Sequence, residues 1–474
     1  MINRSFIHRE IDQDLKLYPQ LVITTRFAPE PNGLLHIGHL KTIYANYNLA
    51  KQYNGICHLR FDDTNPVSAK KEYYEGICDD IKWLGLKFDH LFYASDYFTA
   101  LYNDAIRLIQ QGKAYICQHK VEEVLEMRGT LTQPGLPSMY RNRSIEENLF
   151  LFSEMKEGKI IATLRAKINP LSPNLNLRDP IIYRVKKVAH PRTNDQWSIY
   201  PTYDYAHSLS DYYERITHSL CTLEFQDHRP LYNWFLKLLY PNNLFKPKQM
   251  EYSRLNIEGF TTSKRILNNL KGDLELSNPL FPTIKGLANR GYTSESLFYF
   301  CKQLGLSKQD SIIPLKSFEQ TLLQYFNKNV TEYCQLVLEP LLVILDNGKK
   351  IYIEKKDFSL EKIREKIFLP NSWINLINFG SIYCTNYDLA DDGTISAIYC
   401  NFSLGNQGKY YIQFVHENDP NILVKDFTIP NIYHDYKGKI QSHYHKSNLF
   451  QAYRIGYIKE MGNQVYHLFL RLKK

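Results

Sequence analysis

Residues 21–39 read Leu-Val-Ile-Thr-Thr-Arg-Phe-Ala-Pro-Glu-Pro-Asn-Gly-Leu-Leu-His-Ile-Gly-His, and this stretch decides the fold. Its first eight residues are apolar and β-branched, the pattern of a short buried strand. Pro29, Pro31 and Gly33 end that strand. From Gly38 the run GHLKTIYANYNLAKQY has helical spacing up to Gly55, and Ile-Cys-His-Leu-Arg-Phe at 56–61 predicts a second strand. Another helix is expected over residues 70–84. Strand, tight turn, helix and strand together open a doubly wound α/β domain. His36 and His39 stand three apart at the start of the first helix, where free N–H groups and partial positive charge suit a phosphate. Gly38 between them leaves room for a nucleotide to lie on the backbone.

Outward from this core, residues 97–200 alternate helices with short strands, a strand–helix passage recurs at 215–240, and 285–327 reads as helical. After residue 328 the texture becomes hairpins, one around Asp346-Asn347-Gly348 and one around Asp392-Gly393. Short strands with aromatic alternation predict antiparallel barrels. The 474 residues are 44% hydrophobic, enough for several cores and against wholesale disorder. No stretch approaches the ~18–20 apolar residues of a membrane span, and the first residues lack the apolar segment of a signal peptide. Eight scattered cysteines with no Cys-x-x-Cys pair argue against a disulfide framework or structural zinc and for a reducing cytoplasm. The net charge is +9; residues 331–474 hold 17 Lys/Arg against 15 Asp/Glu, so about +7 of the excess lies before them, where a nucleic-acid partner is permitted.

A second segment, Glu258-Gly-Phe-Thr-Thr-Ser-Lys-Arg265, is a polar loop whose Lys264 can reach phosphates as charge develops on them. The two segments together resemble the HIGH and KMSKS signatures of class I aminoacyl-tRNA synthetases. Further strings resemble the glutaminyl branch of the glutamyl/glutaminyl subgroup: Arg60-Phe-Asp-Asp-Thr-Asn-Pro66, Arg128-Gly-Thr-Leu-Thr-Gln-Pro-Gly135, Tyr200-Pro-Thr-Tyr-Asp204 and Ile216-Thr-His-Ser-Leu-Cys-Thr-Leu-Glu-Phe-Gln-Asp227. The resemblance runs from residue 20 to the end and is densest before 260. It implies a Rossmann-type catalytic domain at 1–96 and 203–255. An acceptor-stem domain would be inserted at 97–202, with the KMSKS-like loop and a helical subdomain at 256–327. Shortened anticodon-binding β-barrels would occupy 328–474. The implied reaction joins glutamine to tRNA(Gln) through glutaminyl-adenylate, with transfer to the 2′-hydroxyl of the terminal adenosine and with ATP carried on Mg2+.

By motif position, the resemblance gives His36, His39 and Lys264 the catalytic electrostatics. Glu30, Pro31, Asn32, Gly33, Gly38 and Ser263 join them around ATP. Arg26, Asp62, Tyr203, His207, Cys221 and Gln249 would hold glutamine. Asp62 can pair with the substrate ammonium, Arg26 can donate to a substrate oxygen, and Tyr203 and the exposed Gln249 offer neutral groups to a carboxamide. Cys221 stands where glutamyl enzymes typically carry an arginine, so glutamate would enter with an unpaired carboxylate. On the tRNA side, Leu131 in a hairpin would wedge open the first acceptor pair and Asp227 would read a base pair through the minor groove. Arg141, Arg143 and Arg192 are expected phosphate contacts. The chain departs from the pattern at Thr262, where relatives have methionine, and at Ser277-Asn-Pro-Leu-Phe281, where an acid and a base are lost. A cytoplasmic monomer is expected, with a glutamyl-tRNA synthetase or a non-catalytic tRNA-binding relative as the rival readings.

Overall fold

The computed structural model describes residues 4–243, 245–260, 275–430, 432–442 and 447–472. The chain forms two compact units, one of Met1–Asn256 with Cys301–Ile312, the other of Ile257–Phe300 with Ile313–Lys474.

In the first unit, α1 (Phe6–Leu17) precedes β1 (Thr24–Phe27), α2 (Ile37–Gln52), β2 (Ile56–Phe61), α3 (Lys71–Trp83) and β3 (His90–Tyr93). Of these, β1, α2, β2 and α3 are the elements the sequence predicts, within a few residues at each end. β1, β2 and β3 pair in parallel, Thr24 opposite Ile56 and His58 opposite His90. A second parallel pair, β8 (His218–Thr222) and β9 (Lys248–Tyr252), aligns Ser219 with Gln249 and Cys221 with Glu251. Thr217 joins the two pairs: its N–H donates to Thr24 O at 2.9 Å, and its Oγ1 accepts from Thr24 N–H at 2.8 Å. The strands therefore lie in the order β3-β2-β1-β8-β9. The chain leaves β1 toward one edge and later occupies the other, so the carboxyl ends of β1 and β8 flank a topological switch point, where such sheets bind ligands. Ile7 and Ile11 of α1 are fully buried with Ile23, Leu49, Leu220 and Tyr252, covering one face.

Between the two halves, α4 (Phe98–Gln110), α5 (Val121–Arg128) and α6 (Ile145–Lys156) accompany four strands: β4 (Ala114–Cys117), β5 (Thr163–Ala166), β6 (Ile181–Val185) and β7 (Ile199–Pro201). They form an antiparallel sheet in sequence order, and β7 runs directly into α7 (Tyr203–Tyr213), followed after β8 by α8 (Arg229–Leu239). One apolar core spans both, from Phe98 and Phe152 to Tyr205 and Phe235.

The second unit holds the helices Ile284–Arg290 and Leu315–Asn329 and two seven-stranded sheets. The hairpins expected around Gly348 and Gly393 are present as Pro340–Leu345 with Lys350–Glu354 and Gly380–Leu389 with Ile395–Ser403. The side chains buried along each sheet gather into a single core, Leu341 to Phe414 in one and Cys334 to Leu468 in the other. Most strand pairs in these sheets are antiparallel, as expected, with parallel joints among them. Pro340–Leu345 pairs in parallel with Ile395–Ser403, and Asn421–Asp426 with Val465–Arg471. Turn residues specify neighbouring strands, but a parallel joint depends on a crossover that no local signal encodes.

Candidate active site

α7 organises the site. Tyr203, His207 and Asp211 recur every four residues, so they share one face of the helix. That face meets Arg26 of β1 and Arg60 of β2, which are 3% and 0% exposed. Arg26 donates from Nε to Asp211 Oδ1 at 3.0 Å, from Nη1 to Leu220 O at 2.9 Å and from Nη2 to Ser219 Oγ at 2.8 Å; Nη2 also lies 3.1 Å from His207 Nε2. Most donors of Arg26 are thus held by the protein, which fixes the guanidinium before any substrate arrives. Arg60 donates to Asp62 Oδ1 at 2.8 Å, Asp211 Oδ1 at 2.8 Å and Glu214 Oε2 at 2.9 Å.

Two guanidinium groups and three carboxylates make a buried cluster with one carboxylate in excess. Burial pushes His207 down to about 3, and both arginines push the same way, so the ring is neutral and does not correct the imbalance. Burial would raise the Asp211 carboxyl, but Arg26 and its other basic neighbours hold it below the usual range. Burial raises Glu214 to about 7 against the pull of Arg60. Burial also raises Asp62, with Arg60 opposing. Asp62 Oδ2 is buried without a hydrogen-bond partner, 4.0 Å from His207 Nδ1. An unpaired carboxylate oxygen in a cluster short of one cation is chemically suited to a cationic donor.

Tyr203 stacks on His207 with centroids 5.0 Å apart and also packs on Phe225. Cys221 is buried, its thiol pushed up by that burial, with Sγ 3.8 Å from Met250 O. Gln249, expected to be exposed, is buried on β9; its amide nitrogen donates to Phe225 O at 2.9 Å and Glu251 Oε1 at 3.0 Å. Gln249, Arg229 and Glu251 also line a cavity of about 670 Å³ along the β9 edge, and neither Asp62 nor Tyr203 lines it.

At the N-terminus of α2, His36 is the cap. Its Nδ1 accepts from Gly38 N–H at 3.1 Å, while His39 Nδ1 accepts from His36 N–H at 3.1 Å. Both Nδ1 atoms being acceptors, each neutral ring carries its proton on Nε2. The rings lie 3.9 Å apart and present two N–H donors at a helix N-terminus. Close by in sequence, Asn32 Oδ1 is buried without a partner, and exposed Glu30 accepts from Ser68 Oγ at 2.8 Å.

Leu131 is 81% exposed, on a turn that follows α5 rather than in the expected hairpin, since no strand flanks it. Asp227 is exposed, and His228, not Asp227, caps α8. The three arginines expected at phosphates have internal partners: Arg141 with Asp179, Arg143 with Ile116 O and Glu147, and Arg192 with Asp96 and the Tyr93 ring.

Residues 22–328 match the family model for tRNA synthetases class I (E and Q), catalytic domain. The glutamine–tRNA ligase of Haemophilus influenzae (strain 86-028NP) is 40% identical to this chain, the match covering 90% of this chain and 85% of that protein. That of Clostridium perfringens (strain ATCC 13124) is 41% identical, over 84% of this chain and 78% of its own length. The chain belongs to the glutamine–tRNA ligase family. A solved glutamate tRNA ligase from Elizabethkingia meningosepticum is 20% identical over 65% of this chain and 70% of its own, with a TM-score of 0.49.

Of the residues the family resemblance singles out, Thr262, Ser263 and Lys264 lie outside the described residues. The family's altered stretch at 277–281 is held without an ion pair among the described residues: Phe281 is 4% exposed, and Arg290 donates to Pro279 O at 2.8 Å. Sequence reasoning missed Arg60, Asp211 and Glu214 as members of the site. The four-residue spacing of Tyr203, His207 and Asp211 was the signal that could have found the second of them.

Glu214 provides a pH test. Its carboxyl titrates higher in the folded chain than the ~4.3 of an unfolded one, so its contribution is fully present below that value and is lost as pH rises through about 7. Glu214→Gln stays neutral. Its denaturant midpoint, compared with the parent's, should therefore gain between pH 5 and pH 8; a difference independent of pH would contradict the assignment.

Proposed function

We propose that this chain ligates glutamine to tRNA(Gln) in two steps. In the first, a glutamine carboxylate oxygen attacks the α-phosphorus of ATP, forming glutaminyl-adenylate and releasing pyrophosphate. In the second, the 2′-hydroxyl of the terminal adenosine attacks the activated carbonyl and AMP leaves. The observation that carries the reading is Asp62 Oδ2, buried and unpartnered in a cluster one cation short. It receives the α-ammonium and so fixes the amino-acid end, with Tyr203 and the neutral His207 forming a stacked wall beside it.

The two Nε2–H donors of His36 and His39 face the phosphates, with α2 adding its own partial charge. Lys264 and Ser263 join them, and Glu30, Pro31, Asn32, Gly33 and Gly38 shape the nucleotide's seat. Magnesium enters with ATP as part of that substrate. Catalysis is then positioning and charge stabilisation. Cys221 supplies the discrimination: it is neutral, and the nearby Arg26 and Arg229 are already paired with Asp211 and Glu251, so a glutamate side chain finds neither of these cations unpaired to balance it. Leu131 wedges the acceptor end, Asp227 reads beside it, and the C-terminal sheets take the anticodon. All eight cysteines are free, which fits a cytoplasmic setting, and no helix among the described residues is long and apolar enough to cross a membrane. A monomer is the expected state.

Pyrophosphate exchange into ATP, measured with tRNA present, tests the reading. Glutamine should support exchange and glutamate should not. Preference for glutamate, or no exchange with either, overturns it.

A further inference from the structure

We propose that Arg178 is the positioning residue that holds the Leu131 turn in the shape needed to open the acceptor end. The inference rests on the reading of Leu131 as the wedge.

Leu131 has no packing of its own to keep it raised, being 81% exposed. An apolar tip in water stays projected only if its backbone is held from beneath. Arg178 does this from a site where it is 4% exposed. Its Nη1 reaches Arg128 O at 2.8 Å, Thr130 O at 2.9 Å and Gln133 O at 2.9 Å, three carbonyls of the one turn. With two hydrogens on Nη1, one is shared between acceptors. Its Nε donates to Ser172 O at 2.6 Å, tying that grip to the neighbouring loop. A buried guanidinium solvated by main-chain carbonyls demands that those carbonyls converge, and the turn is built for convergence. Gly129 has φ +67°, and a Cβ there would lie 2.6 Å from Pro134 O and 2.7 Å from Gln133 O. A Cβ at Gly135 would lie 2.6 Å from Pro170 O.

The grip is anchored to the four-stranded sheet. Next in sequence to Arg178, Asp179 accepts from Ile168 N–H at 2.7 Å and from Arg141 Nε at 2.7 Å, just before β6 begins. The same loop also reaches the second residue assigned to the acceptor stem: Asn174 Nδ2 donates to Asp227 O at 2.7 Å. Residues 172–178 thus link the wedge and the base-reading turn to one rigid support. Lysine cannot replace this arrangement, because a single ammonium cannot reach Ser172 O and three converging carbonyls with a planar fork's geometry.

The test uses the full chain and two tRNA transcripts, one with its first acceptor pair intact and one with that pair opened by a mismatch. Aminoacylation is measured for Arg178→Lys, for Leu131→Ala, and for Gly129→Ala, which disturbs the turn while leaving the buried arginine in place. Each variant should lose on the order of 10- to 100-fold in kcat on the intact tRNA, as a misplaced reacting end does, and recover most of that loss on the opened one. If Leu131→Ala recovers while Arg178→Lys and Gly129→Ala lose equally on both transcripts, Arg178 is a structural residue only and the proposal fails. If no variant recovers, the wedge reading itself is wrong and the positioning role falls with it. Should Arg178→Lys melt far below the parent, Gly129→Ala decides alone.

Discussion

Asp62→Asn should lower kcat/KM for glutamine by on the order of 10²–10³-fold, the loss expected when one partner of a buried, hydrogen-bonded charge pair is removed. The substitution keeps the shape of the side chain and leaves an amide oxygen to accept from Arg60 Nε, which now donates at 2.8 Å. What it removes is the negative charge at Oδ2, a buried oxygen of the cluster with no hydrogen-bond donor facing it, as Glu214 Oε1 also is. The asparagine would turn an N–H toward the substrate ammonium or leave that ammonium a weaker, neutral acceptor; both raise the cost of binding. The measurement is pyrophosphate exchange with tRNA present, run across glutamine concentration. An analogue lacking the α-amino group provides the control, because it should inhibit parent and variant alike. If the variant keeps the parent's kcat/KM, or the analogue loses as much affinity as glutamine does, Asp62 does not hold the ammonium.

The residues legible from sequence and those that were not differ in a consistent way. β1, α2 and β2 could be read directly, because Pro29, Pro31, Gly33 and Gly55 punctuate periodic apolar runs. The hairpins at Gly348 and Gly393 could be read from their turn residues for the same reason. The joint between β1 and β8 could not, since it depends on Thr24 meeting Thr217, 193 residues away. The site divides similarly. His36 and His39 carry a local signal, a pair on the first turn of a helix. Arg26, Asp62 and Cys221 look ordinary in isolation, and only the ordered family strings mark them. Asp211 and Glu214 escaped notice because a buried charge is defined by what surrounds it, and the arginines that surround these two come from distant strands. Gln249 illustrates the reverse error. Its Pro-Lys-Gln-Met neighbours suggested exposure, yet β9 buries it while Lys248 beside it reaches solvent. Arg141, Arg143 and Arg192 are a further case: a positive charge in sequence says nothing about which carboxylate or ring already holds it.

Asp211→Asn should destabilise the first unit by about 3–5 kcal/mol, the range for breaking a buried ion pair by removing one partner. Asp211 is 0% exposed and accepts from Arg26, from Arg60 at 2.8 Å, from Ser219 Oγ at 2.6 Å and from Tyr232 OH at 2.9 Å. Four groups donate to its two oxygens, so an amide nitrogen in place of either oxygen sets donor against donor. Charge counting alone would favour the change, since it leaves two carboxylates to two guanidinium groups. Geometry decides otherwise: Asp211 is the carboxylate paired with Arg26, whereas Arg60 keeps Asp62 and Glu214. Arg26 would remain buried with only neutral partners. The chain has two units, so the quantity to read is the denaturant midpoint of the transition seen by the tryptophans of the first unit, Trp83, Trp197 and Trp234, and not a global free energy. A loss below about 1 kcal/mol, the scale of a surface ion pair, would mean that Asp211 is not the counter-ion of Arg26. Asp62→Asn is the contrast within the same cluster. Its Oδ2 accepts no hydrogen bond from the protein, so that variant should lose activity while its midpoint stays near the parent's.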